Sequence, residues 1–178
     1  MFCSLEPQRY LKARSTTKTF KLLNEVFEMF DDVVDHYGMY KYQHVGDWYI
    51  ITCPRAARPF DEAEQGKPYP QSYAVQMIRL ANELRELAHY YTVEGVSLQL
   101  KVGINHGAIA GAVIGQHRAF YCVYGDTANT AARMCKYAEP NEVLCTREFA
   151  EVMEGCEDKL CSCMYKGHMD IKGKGKME

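Results

Sequence analysis

The run FYCVYGDTANTAARM, from Phe120 to Met134, joins a short aromatic strand, a Gly-Asp-Thr turn and a helical stretch. Asn129 and Arg133 stand four positions apart in it, so on a helix they share a face. Arginine offers forked donors to phosphate and asparagine offers an amide to sugar oxygens, which suits the pair to gripping a nucleotide. A solvated helix face is the plainer account of the same two residues. Asp126 or Thr127 is placed to cap that helix, since either side chain can accept from the free N–H groups of its first turn. Asp47 stands in a Gly46-Asp47 turn between two apolar strands. A carboxylate there suits Mg²⁺, which takes one or two carboxylates beside substrate phosphates, although an ordinary turn aspartate fits as well. Gly103, Gly107, Gly111 and Gly115 recur every fourth residue but form no phosphate-binding glycine motif, so they read as places where strands bend or approach a neighbour.

These residues need elements to hold them. Between Thr17 and His36, Phe20, Leu23, Phe27, Phe30 and Val34 recur at helical spacing, and Gly38 ends the helix. MYKYQHVGDWYIITC then reads as a hairpin with its turn at Gly46-Asp47. Residues 54–71, rich in proline and charge, read as a loop. Ser72 is the expected cap of a second helix whose buried stripe is Ala74, Met77, Ile78, Ala81, Leu84, Leu87, Ala88 and Tyr91. VSLQLKVGINHG, AIAGAVIG and AFYCVY are expected strands, followed by a helix from about Thr127 to Tyr137. EVLCT reads as a strand, REFAEVM as a short helix, and the end of the chain as one more strand. Helices alternating with hairpins in this order predict an α+β, ferredoxin-like sandwich: a mainly antiparallel sheet with helices packed on it.

With 178 residues the chain suffices for one sizeable core and is too short for two ordinary domains. Its 47% hydrophobic and 25% charged residues describe a globular protein, and a net charge of −2 gives no surface for nucleic acid. A ferredoxin-like RNA-binding module would show a basic, aromatic-studded strand face, which is missing here. No apolar run approaches the roughly 18 residues of a membrane span, and no signal peptide stands at Met1. The eight cysteines therefore read as reduced thiols in a cytoplasmic setting. Cys156, Cys161 and Cys163, near His168, have a C-x4-C-x-C spacing unlike a zinc knuckle and read as plain strand or turn cysteines.

The run LKVGINHGAIAGAVIGQHRAFYCVYGDTANTAARM, Leu100 to Met134, resembles the catalytic domain of class III nucleotidyl cyclases, the adenylate and guanylate cyclases. LLNEVFEMFDDVVDHYGMYKYQHVGDWYI before it, and EPNEVLCT and IKGKGK after it, extend the likeness from about Thr19 to Lys176. The resemblance implies a head-to-tail dimer with active sites at the shared interface. Two Mg²⁺ or Mn²⁺ ions, held by two aspartates of one subunit, would assist the ribose 3′-oxygen in attacking the α-phosphorus as pyrophosphate leaves. The other subunit would give the base pocket, an asparagine orienting the ribose and an arginine stabilising transition-state charge. On this likeness Asp47 is the second metal aspartate, Asn129 the ribose-orienting residue and Arg133 the transition-state arginine. Lys172 is the triphosphate contact, and Gln43 and Cys122 read the purine. Cys122 leans toward guanine, because a thiol donates weakly to O6, while the Gln43 amide permits either base. GTP is thus expected over ATP.

The family's first metal motif, Phe-x-Asp-Ile-x-x-Phe-Thr, has no counterpart. Matching Phe2 to its phenylalanine puts Ser4 at the aspartate; an ungapped count from Asn24 gives Cys3; Glu6 is the nearest acid. Residues 1–178 are therefore expected to be a single cyclase domain, truncated at its N-terminus, where that motif is absent, and within the last strand. It would be a cytoplasmic piece of a larger membrane or multidomain protein. Two functions follow from the resemblance. One is conversion of GTP, or ATP, to its 3′,5′-cyclic monophosphate and pyrophosphate in signalling. The other is a regulatory domain, inactive alone, that dimerises with an aspartate-bearing cyclase partner; a homodimer would serve the first and a heterodimer the second.

Overall fold

The computed structural model describes residues 1–10, 16–117, 119–156 and 161–178. In chain order the elements are β1 (Phe2–Ser4), α1 (Thr16–His36), β2 (Tyr40–Val45), β3 (Trp48–Thr52), α2 (Glu62–Gln65), α3 (Ser72–Tyr90), β4 (Thr92–Val93), β5 (Val96–Ser97) and β6 (Lys101–Ile104). They continue with β7 (Ala110–Ile114), β8 (Phe120–Tyr124), α4 (Asp126–Tyr137), β9 (Val143–Cys145), α5 (Arg147–Glu154), β10 (Met169–Ile171) and β11 (Gly175–Met177). Five strands form the main sheet in the order β2-β3-β1-β6-β9, antiparallel except for the parallel β6–β9 pair. This is the expected sandwich. β7 and β8 form a separate two-stranded arm.

Alternation along the strands decides what lies on each face. Val102 and Ile104 of β6, Cys3 of β1 and Tyr49 and Ile51 of β3 point into one core with α1 and α3. The α1 stripe Leu22, Leu23, Val26, Phe27, Phe30 and Val34 closes it, with the Tyr49 ring 5.0 Å from Phe27 and 5.5 Å from Phe30. Lys101 and Gly103, the alternate residues of β6, face α4 instead. A Cβ on Gly103 would lie 2.0 Å from the Cys135 nitrogen and 2.3 Å from the Ala131 oxygen, so α4 rests on bare strand backbone. Gly103 is thus the close approach that the glycine spacing predicts.

Several local expectations are corrected. Gly125, at φ +138°, precedes α4, and neither Asp126 nor Thr127 caps it by a side chain; Asp126 pairs with Lys174 instead. Gln71, without a side-chain bond, stands at the N-cap of α3, and Ser72 is its first residue. The loop over residues 54–71 contains α2, whose cap is Asp61, accepting from the Glu64 N–H at 3.0 Å. VSLQLKVGINHG yields two short strands, β5 and β6, rather than one. The end of the chain is a hairpin, β10–β11, turning through Lys172, Gly173 and Lys174. No described helix is long and apolar enough to cross a membrane.

Candidate functional site

The β2–β3 turn passes through Gly46 at φ +61°, a left-handed conformation that suits glycine, and so presents Asp47 at the sheet's end. β1 lies beside it: Ser4 is in register with Trp48 on one side and Lys101 on the other. The Ser4 hydroxyl donates to Asp47 Oδ2 at 2.8 Å, and the Glu6 N–H donates to the same oxygen at 3.2 Å. Ser4 is 5% exposed. Of the two residues that sequence matching put opposite Asp47, Ser4 is the one that meets it. Cys3 points into the core on the other face, where desolvation pushes its thiol far above the ordinary value.

The Glu6 side chain pairs with Arg9 and reaches the Lys101 ammonium at 3.5 Å. Lys101, only 8% exposed, also donates to the Lys136 carbonyl at 3.1 Å. This corner therefore holds one carboxylate at the turn, a hydroxyl beside it and, across the strand, a cation engaged with the Glu6 carboxylate. It does not fit a pair of divalent ions, which need several negative ligands to offset their mutual repulsion. Among the described residues no three His, Cys, Asp or Glu side chains converge as metal ligands, at this corner or around Cys161 and Cys163.

A second cluster forms on α4. Asn129 is exposed on its surface, and Arg133 is half-buried one turn later. The β10–β11 turn presses on that guanidinium: a Cβ on Gly173, which lies at φ +77°, would sit 3.3 Å from Arg133 Nη2 and 3.4 Å from Nη1. Nη1 is fully shielded and has no hydrogen-bond partner among the described residues. A buried donor left unpaired is uncommon, and an acceptor brought by a ligand satisfies it. Lys172, in the same turn, donates its backbone N–H to the Tyr137 hydroxyl at 3.2 Å and leaves its side chain exposed. The structure thus brings Lys172 and Arg133 to one place.

Asn105 went unnoticed in the sequence. Its amide donates to the Thr127 carbonyl at 3.2 Å and its oxygen accepts from the buried Thr146 hydroxyl at 2.7 Å, which moors the first turn of α4 to the end of β6. Lys174, likewise unnoticed, ties the hairpin to Asp126. The alternating Lys-Gly pattern of IKGKGK was the one available signal for it.

Gln43 and Cys122 lie on β2 and β8, the first exposed and the second half-buried. The two strands belong to different sheets but meet through the residue before Gln43. The Tyr42 hydroxyl accepts from the Val123 N–H at 3.0 Å and donates to the Tyr121 carbonyl at 3.2 Å. Asp47 has no hydrogen bond to Asn129 or Arg133 among the described residues, so the six sequence-derived residues fall into an Asp47 corner, the α4 face of Asn129 and Arg133 with Lys172 beside it, and the Gln43–Cys122 pair. The arm that carries Cys122 exposes Val113 (58%), Ile114 (49%) and Phe120 (64%), an apolar stretch of the kind that a partner covers. A cavity of about 1290 Å³ between α3, α5 and residues 161–178 is lined by none of the six.

Residues 1–178 match the family model described as the adenylate and guanylate cyclase catalytic domain. Atrial natriuretic peptide receptor 2 of Anguilla japonica is 28% identical over 168 residues, covering 94% of this chain and 15% of that protein. Guanylate cyclase soluble subunit beta-2 of Homo sapiens is 30% identical over 159 residues, covering 88% of this chain and 23% of that one. The chain therefore spans only a small part of the length of these relatives. Among solved structures, the guanylate cyclase domain of RhGC from Catenaria anguillulae in complex with GTP shares the fold at a TM-score of 0.79 and 24% identity, over 99% of this chain and 90% of that one. The adenylyl cyclase CyaB from P. aeruginosa does so at 0.74 and 21% identity, over 99% and 88%.

Proposed function

We propose that this chain, which belongs to the family of adenylate and guanylate cyclase catalytic domains, supplies the nucleotide-gripping half of a cyclase site that a second cyclase domain completes. The substrate in this reading is a purine nucleoside triphosphate, GTP in preference to ATP, and the setting is cytoplasmic. The observation that carries it is the Ser4 hydroxyl, 2.8 Å from Asp47 where a metal pair would need a second carboxylate. The partner therefore brings both aspartates and whatever metal ions they hold.

The roles of this chain's own residues follow from their chemistry. Gln43 and Cys122 meet the purine edge, and Asn129 orients the ribose so that its 3′-oxygen faces the α-phosphorus. Arg133, whose Nη1 is shielded from water and unpaired among the described residues, offers its N–H groups to the charge that builds on the phosphate oxygens as pyrophosphate departs. Lys172 meets the triphosphate from the adjoining turn. The exposed arm of Val113, Ile114 and Phe120 is the surface that the partner covers. A homodimer acting alone would have to seat its metal pair on Asp47 without a second carboxylate, an arrangement that the corner does not fit.

The test is a complementation assay. The partner is an aspartate-bearing guanylate cyclase domain whose own transition-state arginine has been removed, so that only the composite site can turn over. Release of pyrophosphate from GTP with Mn²⁺ is expected from the mixture and from neither domain alone. Arg133→Ala in this chain should cut the mixture's rate by about 10²–10³-fold, the scale for losing one preorganised charge-stabilising donor. Turnover by this chain alone, or a silent mixture of domains shown to associate, overturns the reading.

A further inference from the structure

Tyr42 stands out because nothing in the fold of the main sheet requires its position. In the β2–β3 ladder Lys41 faces Ile51 and Gln43 faces Ile50, so Tyr42 is the extra residue of a β-bulge. A bulge turns one side chain away from the ladder, and here the side chain goes to the other sheet. Its hydroxyl closes on the two peptide groups that flank Cys122, accepting from the Val123 N–H and donating to the Tyr121 carbonyl. The ring stands edge-on to that of Tyr121, centroids 6.0 Å apart. Tyr121 in turn donates its own hydroxyl to the Ala56 carbonyl and fills the space beside Gly111, where a Cβ would clash with it. One phenol thus joins the backbone immediately before Gln43 to the backbone on both sides of Cys122.

We infer that Tyr42 is a positioning residue for base selection: it fixes the separation between Gln43 and Cys122, and so decides how sharply the pocket tells guanine from adenine. The inference rests on the assignment of those two residues to the purine. Discrimination between the bases comes from hydrogen-bond groups meeting the correct edge atoms, and a pocket whose two readers sit on separate sheets loses that match if the sheets drift. Among the described residues the Cys122 thiol has a single hydrogen-bond contact, 3.6 Å from the Phe120 carbonyl, which is a weak anchor. The Tyr42 hydroxyl restrains the main chain around it.

Tyr42→Phe keeps the ring and removes both hydrogen bonds. Binding of fluorescent N-methylanthraniloyl GTP and ATP to the full chain is measured for the wild type, Tyr42→Phe and Gln43→Glu, with a melting curve for each. The GTP-to-ATP affinity ratio is expected to fall about three- to tenfold in Tyr42→Phe, the scale of one or two lost hydrogen bonds, and to rise in Gln43→Glu. Amide exchange at Val123 should quicken in Tyr42→Phe, which confirms that the tether has gone even where the melting temperature stays put. If Tyr42→Phe weakens both analogues equally, or leaves the ratio unchanged while Gln43→Glu moves it, the positioning role is refuted and the pocket assignment survives. If the wild type binds the analogues equally or binds neither, or if Gln43→Glu leaves the ratio unmoved, the pocket assignment fails and takes the inference with it.

Discussion

Ser4→Asp is the most direct probe of the Asp47 corner, because it restores a carboxylate where the hydroxyl now sits. The Ser4 oxygen is 2.8 Å from Asp47 Oδ2 in a position only 5% exposed, so the new carboxylate would have little freedom to swing away. Two like charges about 4 Å apart repel by about 4 kcal/mol at an effective dielectric of 20. Capture of a proton limits the cost, since protonating a carboxyl of ordinary acidity at pH 7 also takes about 4 kcal/mol. The Lys101 ammonium, across the strand in the same register, offsets part of the repulsion between the two carboxylates. A net loss of about 3 kcal/mol without metal is therefore expected, which lowers the melting temperature by about 6–12 °C for a domain of this size. The deficit should shrink as the pH falls toward 5, because the folded variant then holds a proton that relieves the repulsion. Mn²⁺ at 100 times its dissociation constant should return about 2.7 kcal/mol to the variant. Differential scanning fluorimetry with a Mn²⁺ titration reads all of this, and the wild type should stay flat. The variant homodimer should also begin to release pyrophosphate from GTP. A wild type stabilised by Mn²⁺ as steeply as the variant, or a variant indifferent to Mn²⁺, refutes the claim that Ser4 is what keeps this corner from holding metal.

Gly103→Ala should destabilise the chain by about 3 kcal/mol, because the added methyl meets backbone atoms of α4 at 2.0 and 2.3 Å that cannot rotate aside. Gly46→Ala, which meets nothing within 4 Å, should cost only the roughly 1 kcal/mol of a left-handed backbone carrying a side chain; urea midpoints separate the two. Phe120→Asp, at a position 64% exposed, should leave the midpoint within about 0.5 kcal/mol. It should nonetheless weaken association with the aspartate-bearing partner by about tenfold or more, as losing an interface aromatic does; sedimentation of the mixture measures it.

Local pattern carried the main elements into the sequence reading because each rests on its own periodicity. The α1 stripe from Leu23 to Val34 and the hairpin about Gly46-Asp47 need no distant partner to be recognised. What escaped notice depends on residues far apart in the chain. Asp126 was a reasonable cap until Lys174, 48 residues away, claimed its carboxylate. Lys101 and Glu6 met only when β1 was inserted between β3 and β6. Sequence matching left Cys3 and Ser4 equally placed. A one-residue step along a strand sends a side chain to the opposite face, so only the β1 register could separate them. The bulge at Tyr42 was invisible for the same reason: its cause is an acceptor and a donor on another sheet. A shared helix face was legible where one short segment carried it, as with Asn129 and Arg133 on α4, and contacts that a strand pairing assembles were not.

The contact of α4 with Gly103 has a mechanical consequence. A helix resting on side chains can slide by swapping rotamers, whereas α4 rests on strand backbone, with its first turn moored by Asn105 and its Lys136 carbonyl held by Lys101. Sliding it by even an ångström would drive main-chain atoms of Ala131 and Cys135 into β6. The helix and the sheet therefore move as one casting. A signal that moves Asn129 and Arg133 has to turn α4 and the main sheet together as a rigid lever, since among the described residues no hinge lies between them.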